Sequence, residues 1–204
     1  MLDKLIEYFL KFPGIGPRQA KRFAYFLAEQ DKEFLENLSK EISDIKNKIT
    51  QCQSCFRFFE KINNNTDICP ICLNLNRDNS LLMILEKDVD LENVERSGVY
   101  NGKYFLIGST LPLTGEKTDI ERFKKLFEKI KNGVSLDNGI KEVIIALNAN
   151  VEGENTARYI EKILEPFSSR NKIKISRLGR GLSTGAELEY TDTETIKNAL
   201  DNRK

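Results

Sequence analysis

The sequence predicts an α/β protein built in several parts: a helical N-terminal unit, a small four-cysteine element and a mostly parallel sheet with flanking helices. Three observations favour this organisation. Apolar residues recur at helical spacing up to residue 49, all four cysteines lie within residues 52–72, and short apolar runs alternate with amphipathic segments thereafter. We place the parts at residues 1–50, 51–75 and 79–175, followed by a closing segment and tail at 176–204.

The composition excludes several kinds of catalytic and metal site. The chain has 204 residues, a formal net charge of +1 and no histidine, which excludes Ser-His-Asp and Cys-His catalysis and every histidine metal site. Two basic runs contain no acidic residue: Lys11–Arg22 has four cations and Ser168–Gly181 has five. The second run has two possible interpretations, a solvated face or a nucleic-acid contact. No secretory signal or bilayer-spanning run is recognisable, so we expect a cytoplasmic location and no membrane partner.

The first motif is a glycine turn that runs into a helix. Gly14 and Gly16 can take positive φ, which allows a sharp bend and a close approach of bare N–H groups to a ligand. Pro17 suits the first helical position because its missing N–H would have no partner there. A glycine turn that opens a helix N-terminus is a natural phosphate cradle.

The helix after this turn has two opposed faces. Its apolar side chains share one face at 3.6 residues per turn: Ala20, Phe23, Ala24 and Leu27. Arg18, Lys21 and Arg22 fall on the other face. With the preceding helical segment 2–10, the arrangement resembles the helix-hairpin-helix motif and predicts weak, salt-sensitive nucleic-acid binding. The alternative is a helical corner whose glycines only form the turn.

The cysteines form two C-x2-C pairs separated by thirteen residues, Cys52/Cys55 and Cys69/Cys72. This spacing matches a four-thiolate zinc site, which is tetrahedral and leaves no open position for catalysis. Disulfides are disfavoured in a reducing compartment. We therefore predict a structural Zn²⁺ ion whose binding folds a segment too small to fold alone. Whether this element also contacts DNA is open.

The remaining elements follow from periodicity. Residues 31–49 predict a further helix or two. Strands are predicted at 81–85, 104–107, 143–147 and 172–178, helices at 119–130 and 155–164, and a short polar helix or tail at 191–204.

Carboxylates follow two of the predicted strands. Glu86 comes directly after the run at 81–85, and Glu152 and Glu154 follow the run at 143–147, ahead of the next predicted helix. Functional groups of open α/β sheets gather beyond the carboxyl ends of strands. These acids are compatible with Mg²⁺, which prefers oxygen ligands, with a basic partner or with a helix N-terminus.

The order of these parts resembles the RecR family of bacterial recombination mediators. The supporting segments, in the family's order, are Pro13–Arg18, the two cysteine pairs, Asn93–Tyr100, Asn150–Ala157 and Gly181–Asp192. The resemblance implies a Toprim-type α/β domain and a non-enzymatic role. It also implies a homo-oligomeric clamp, a dimer or tetrameric ring, that binds single- and double-stranded DNA. Such a clamp works with RecO-like and RecF-like proteins to promote RecA loading on single-stranded DNA.

The resemblance also assigns residues. Arg18 and Arg22 match the family's DNA-contacting cations, with Lys21 beside them, and Gly14 and Gly16 complete the predicted DNA site. The acidic Toprim positions, which serve partner binding, fall on Glu86, Glu152 and Glu154.

The alternative is a Toprim-type metal-dependent nucleic-acid enzyme, either a nuclease or primase-like. Catalytic Toprim domains carry Asp-x-Asp where this chain has Glu152-Gly153-Glu154, and longer carboxylates would place Mg²⁺ differently. A zinc-ribbon adaptor for protein partners is a third reading, but it leaves the hairpin unexplained. We therefore predict that the chain is not an enzyme.

Overall fold

The computed structural model describes residues 1–61, 66–112, 120–134, 139–169, 173–179, 181–182, 185 and 187–201. The chain divides into two compact units, Met1–Thr50 and Gln51–Lys204. The helices are α1 (Leu2–Phe9), α2 (Pro17–Glu29), α3 (Lys32–Lys48), α4 (Pro70–Leu73), α5 (Asp88–Ser97), α6 (Ile120–Val134), α7 (Val151–Ser168) and α8 (Thr193–Asp201). The strands are β1 (Ile49–Gln51), β2 (Phe58–Glu60), β3 (Asp78–Leu85), β4 (Gly102–Leu106), β5 (Glu142–Ile145) and β6 (Lys174–Arg177).

The first unit consists of α1, α2 and α3, as the periodicity predicted. The side chain of Asp31 caps α3 by accepting the Phe34 N–H at 2.7 Å. Within residues 1–50, all of which the structure describes, only Ala20 and Ala24 are fully buried. This unit therefore leaves much of its apolar surface uncovered.

The second unit is built on a four-stranded parallel sheet with the order β4-β3-β5-β6. The predicted α/β class with a parallel, helix-flanked sheet is therefore confirmed. A separate two-stranded sheet pairs β1 with β2 beside the first cysteine pair. The finer boundaries at 51–75, 79–175 and 176–204 stay predictions.

Each face of the sheet has its own core. On one face, Phe105 and Val143 pack with Phe123 of α6 and Ile160 of α7. On the other face, the inward side chains of β3 and β4 pack with Leu91 of α5 and with three buried cysteines: Cys52, Cys55 and Cys69. The cysteine element therefore packs directly on the sheet.

Several elements differ from the sequence-based prediction, most clearly β3, α7 and α5. β3 begins at Asp78 rather than residue 81, because Asp78 is in register with Gly102 across an irregular pairing. α7 begins at Val151 rather than 155, because Asn150 caps it through the Gly153 N–H at 2.8 Å. Helix α5 was not predicted; it ends where Gly98 takes a left-handed φ of 67°.

Among the helices of the described residues, none is both long and apolar enough to cross a lipid bilayer.

Candidate nucleic-acid interface and metal centre

The turn between α1 and α2 is fixed by backbone hydrogen bonds and aromatic contacts. The Ile15 N–H donates to the Phe12 carbonyl at 3.2 Å, and the Phe9 ring packs edge-on against Phe23 with centroids 5.6 Å apart. Gly14 has a φ of 77°, which only glycine adopts without strain. Gly16, in contrast, is extended, with φ −87° and ψ 172°, so the turn uses one left-handed glycine rather than two.

The N-terminus of α2 is open to a ligand. Gly16 stands at the N-cap with no side chain to cap the helix, and Pro17 follows at the first helical position. A Cβ placed on Gly16 would meet no atom within 4 Å. The fold itself therefore does not require glycine at Gly16, and no capping side chain occupies the N–H groups of the first turn, as an anion-binding helix N-terminus requires.

Arg18, Lys21 and Arg22 are all exposed on α2, opposite the fully buried Ala20 and Ala24. Arg22 lies 3.5 Å from the Gln19 side-chain oxygen. Among the described residues, no carboxylate pairs with any of these three cations. The face predicted to meet phosphate is therefore positively charged and accessible.

The four cysteine sulfurs converge as predicted. All four Sγ atoms lie within 4.8 Å of one another, and those of Cys55 and Cys69 are 3.6 Å apart. Sulfurs that share a tetrahedral zinc ion with Zn–S bonds of about 2.3 Å lie roughly 3.8 Å apart. The Cys69 N–H also donates to the Cys52 sulfur at 3.3 Å. The donor set therefore fits zinc in both chemistry and spacing.

Because the four sulfurs are close together, the pKa of each thiol depends on its neighbours. Hydrogen bonds from Cys55, Cys69 and Cys72 lower the pKa of the Cys52 thiol, whereas the bond with Cys52 raises the pKa of Cys55. Several thiolates at this separation cannot all carry charge without a cation among them. A bound divalent metal would resolve that repulsion.

Groups of the sheet domain, meaning strands β3–β6 with helices α5–α7, hold both cysteine pairs. The Leu106 N–H of β4 donates to the Cys55 carbonyl at 2.9 Å. Lys103 of β4 donates to the carbonyls of Ile71, Cys72 and Asn74 at 3.0, 2.9 and 2.8 Å. Burial lowers the pKa of Lys103, although the sulfurs of Cys72 and Cys69 oppose this shift.

Lys129 of α6 makes the corresponding contact with the first pair. Its ammonium donates to the carbonyl and hydroxyl oxygens of Ser54 at 3.1 and 2.8 Å. Sequence reasoning found neither lysine, because their partners are main-chain groups distant in sequence and no motif marks them.

The three acids have different surroundings. Glu86, at the end of β3, is 7% exposed; its carboxylate accepts the Asn148 amide at 3.1 Å and pairs with Lys87 at 3.0 Å. Glu152 is exposed and accepts the Thr110 hydroxyl at 3.3 Å. Glu154 pairs with Arg177 at 2.8 Å.

Glu152 and Glu154 lie in the first turn of α7 rather than ahead of a helix, which corrects the sequence-based placement. Both are favourably placed there for the helix dipole. Among the described residues, the cysteines form the one group of three or more metal-binding side chains whose ligand atoms converge. The three acids are therefore not gathered around one position suited to Mg²⁺.

The second basic run is partly engaged in ion pairs. Lys174 pairs with Glu142 at 3.0 Å, and Arg177 donates to Glu161 at 2.7 and 2.8 Å as well as to Glu154. Hydrogen bonding to Glu161 raises the pKa of Arg177. The other three cations of the run, Arg170, Lys172 and Arg180, lie outside the described residues.

Family models match most of the chain. The model for the RecR helix-hairpin-helix matches residues 2–46, that for the Toprim domain residues 80–179, and that for the RecR C-terminal region residues 181–204.

Relatives match over nearly the whole of both chains. The recombination protein RecR of Chloroherpeton thalassium is 36% identical over 203 residues, which cover 99% of this chain and 95% of that protein. That of Dehalococcoides mccartyi is 36% identical over 204 residues, or 100% and 93% of the two chains. That of Lactobacillus acidophilus is 36% identical over 200 residues, or 98% and 94%.

Proposed function

Because this chain belongs to the RecR family of recombination proteins, we propose that it is a DNA-binding mediator of recombinational DNA repair that catalyses no reaction itself. It acts in the cytoplasm as a homo-oligomeric clamp, a dimer or tetrameric ring. It binds single- and double-stranded DNA and works with RecO-like and RecF-like proteins to promote RecA loading on single-stranded DNA.

The observation that carries this proposal is the exposed hairpin. Its uncapped helix N-terminus and its three exposed cations, which pair with no carboxylate of the described residues, suit one ligand type, a phosphate backbone. Gly14 shapes the turn, Gly16 leaves the N-cap of α2 without a side chain, and Arg18, Lys21 and Arg22 supply the charge. One hairpin neutralises few phosphates, so several hairpins in one oligomer would act together through avidity.

We assign the four cysteines a structural Zn²⁺ ion. Zinc bound to four thiolates has no open position, so the ion would stabilise the fold without taking part in a reaction. Mg²⁺ has no part in this proposal, because the three acids do not converge.

The acidic Toprim positions are proposed as a surface for a basic protein partner. Glu152 is the exposed member of the three and would make the direct contact. Glu86 and Glu154 would support it, since each is already engaged by a cation, Lys87 and Arg177 respectively.

The double substitution Arg18→Ala/Arg22→Ala tests the DNA-binding proposal. We expect affinity for single- and double-stranded DNA to fall at least about tenfold, and the slope of log K against log salt to decrease by about two per hairpin. Fluorescence anisotropy of labelled DNA over a series of salt concentrations measures both quantities.

The matched control is Lys40→Ala/Lys46→Ala, which removes the same charge from exposed positions of α3 and should leave binding nearly unchanged. Equal binding by the Arg18/Arg22 variant and the parent would refute the hairpin assignment. The assay is repeated with Mg²⁺, because metal-dependent cleavage or primer synthesis would refute the non-enzymatic role.

The uncovered apolar surface of the first unit supports self-association. A groove of about 450 Å³ in this unit is lined mainly by apolar side chains, among them Leu5, Leu27, Leu38 and Ile42. Ile42 is 59% exposed. We propose that a second copy of the chain covers this groove.

Ile42→Asp is expected to weaken self-association by about 100-fold, because a charge buried without a partner costs several kcal/mol. Sedimentation velocity should show a smaller species with unchanged helical content. Val99→Asp places the same charge at a residue that is 87% exposed in the second unit and should not alter the oligomer. An Ile42→Asp protein that sediments like the parent would exclude this groove from the interface.

A further inference from the structure

Each cysteine pair is held by a lysine from a different element of the sheet domain. Lys129 of α6 donates hydrogen bonds to the carbonyl and hydroxyl oxygens of Ser54, which lies between Cys52 and Cys55. Lys103 of β4 grips three carbonyls within and just after the second pair. The two ammonium groups thus act on opposite halves of the same candidate metal centre.

Both lysines are half-buried, and hydrogen bonds hold their ammonium groups in place. An ammonium has three donors, and Lys103 uses all of them on carbonyls at 2.8–3.0 Å. Lys103, Lys129, Ser54 and Cys72 line one cavity of about 300 Å³. Cys72 is also the one cysteine of the four that is not fully buried. The lysines therefore flank the side on which the metal centre is least covered.

The positive charge of the two lysines suits the charge expected of the metal centre. Four thiolates and one Zn²⁺ ion carry a net charge of about −2, and a partly buried site of that charge needs compensation. Two ammonium groups supply an equal and opposite charge. They also fix the loops that carry the ligands, as outer-shell groups of metal sites do.

We propose that Lys103 and Lys129 are positioning residues of the zinc centre, which hold its two cysteine pairs at ligating distance and balance the charge of the thiolates. This inference rests on the proposed Zn²⁺ ion. If it is correct, retention of the metal depends on two side chains of the sheet domain that are not themselves metal ligands.

The experiment measures zinc release from the full-length, zinc-loaded protein into excess colour-forming chelator, well below the unfolding temperature. Lys103→Met and Lys129→Met keep much of the side-chain volume but remove the charge and the donors. We expect each to release zinc about tenfold faster than the parent, since outer-shell substitutions cost 10- to 100-fold in metal affinity. Lys129→Arg retains charge and can donate to both Ser54 oxygens, so its release should stay within about twofold of the parent.

Matched controls separate this effect from general destabilisation. Lys174→Met removes a lysine from the opposite edge strand of the same sheet, where it pairs with Glu142, and Lys124→Met removes an exposed lysine from α6. Neither should accelerate release. The absorption spectrum of the cobalt-substituted variants shows whether four sulfurs still bind the metal.

Unchanged release from zinc-bound Lys103→Met and Lys129→Met would overturn the inference and leave the zinc proposal standing. If Lys103→Met does not fold, the comparison of Lys129→Met with Lys129→Arg decides. A parent protein that folds without zinc would overturn the zinc proposal itself.

Discussion

Cys52→Ser is expected to abolish zinc binding and to lower the free energy of unfolding by more than about 3 kcal/mol, because in a structural zinc site metal binding and folding are one process. Cys52 is fully buried, and its sulfur accepts the Cys69 N–H. A serine oxygen is a poorer zinc ligand than a thiolate. Because a C–O bond is shorter than a C–S bond, the oxygen would also lie farther from the metal position than the sulfur does. Metal analysis by mass spectrometry and thermal unfolding followed by circular dichroism measure the two effects.

Gln53→Ala is the matched control, since Gln53 is exposed in the same loop. Its side chain makes one surface hydrogen bond, to Asp67 at 3.2 Å, so its replacement should cost no more than about 1 kcal/mol and leave zinc content intact. A Cys52→Ser protein that folds normally without metal would show that the cysteine cluster is not a structural zinc site.

Gly153→Ala is expected to destabilise the second unit by about 2–4 kcal/mol, because there is no room for a methyl group. A Cβ at Gly153 would lie 2.0 Å from the carbonyl oxygen of Asn148. The carbonyl belongs to the backbone and cannot rotate away as a side chain could, so relief requires the first turn of α7 to move away from the loop before it. Chemical denaturation measures the loss.

The same substitution at Gly179 provides the control. A Cβ there would meet nothing within 4 Å, so Gly179→Ala should be neutral or slightly stabilising through the unfolded state. Because Gly153 separates Glu152 from Glu154, a Gly153→Ala protein of parental stability would mean that the acids are not held as described.

The sequence was informative where local chemistry decides structure. The glycine-proline turn before α2 and the C-x2-C spacing each have few structural solutions, and buried strands such as 81–85 appear as continuous apolar runs. Helix α5 was missed because only Leu91 of its residues is fully buried, so its periodicity is weak. The start of α7 was missed because the stretch 148–153 has the composition of a turn.

The part of the site that sequence could not provide depends on tertiary contacts. Lys103 reaches carbonyls 29–32 residues away, and Lys129 reaches Ser54 across 75 residues. Any residue type presents a carbonyl, so no spacing or composition reveals such partners. Likewise, the pairing of Glu154 with Arg177 follows from the placement of β6 beside β5.

The hydrogen bond from the Leu106 N–H to the Cys55 carbonyl has a consequence for solubility. In the described sheet β4 is a terminal strand, and the free amides of such strands are templates on which chains aggregate. The cysteine segment covers part of that edge, and Lys103 ties it down from β4 itself. Removal of the proposed metal would therefore expose the edge of β4 to aggregation as well as loosen the cysteine segment. Light scattering of the protein in the presence of a chelator should rise with time.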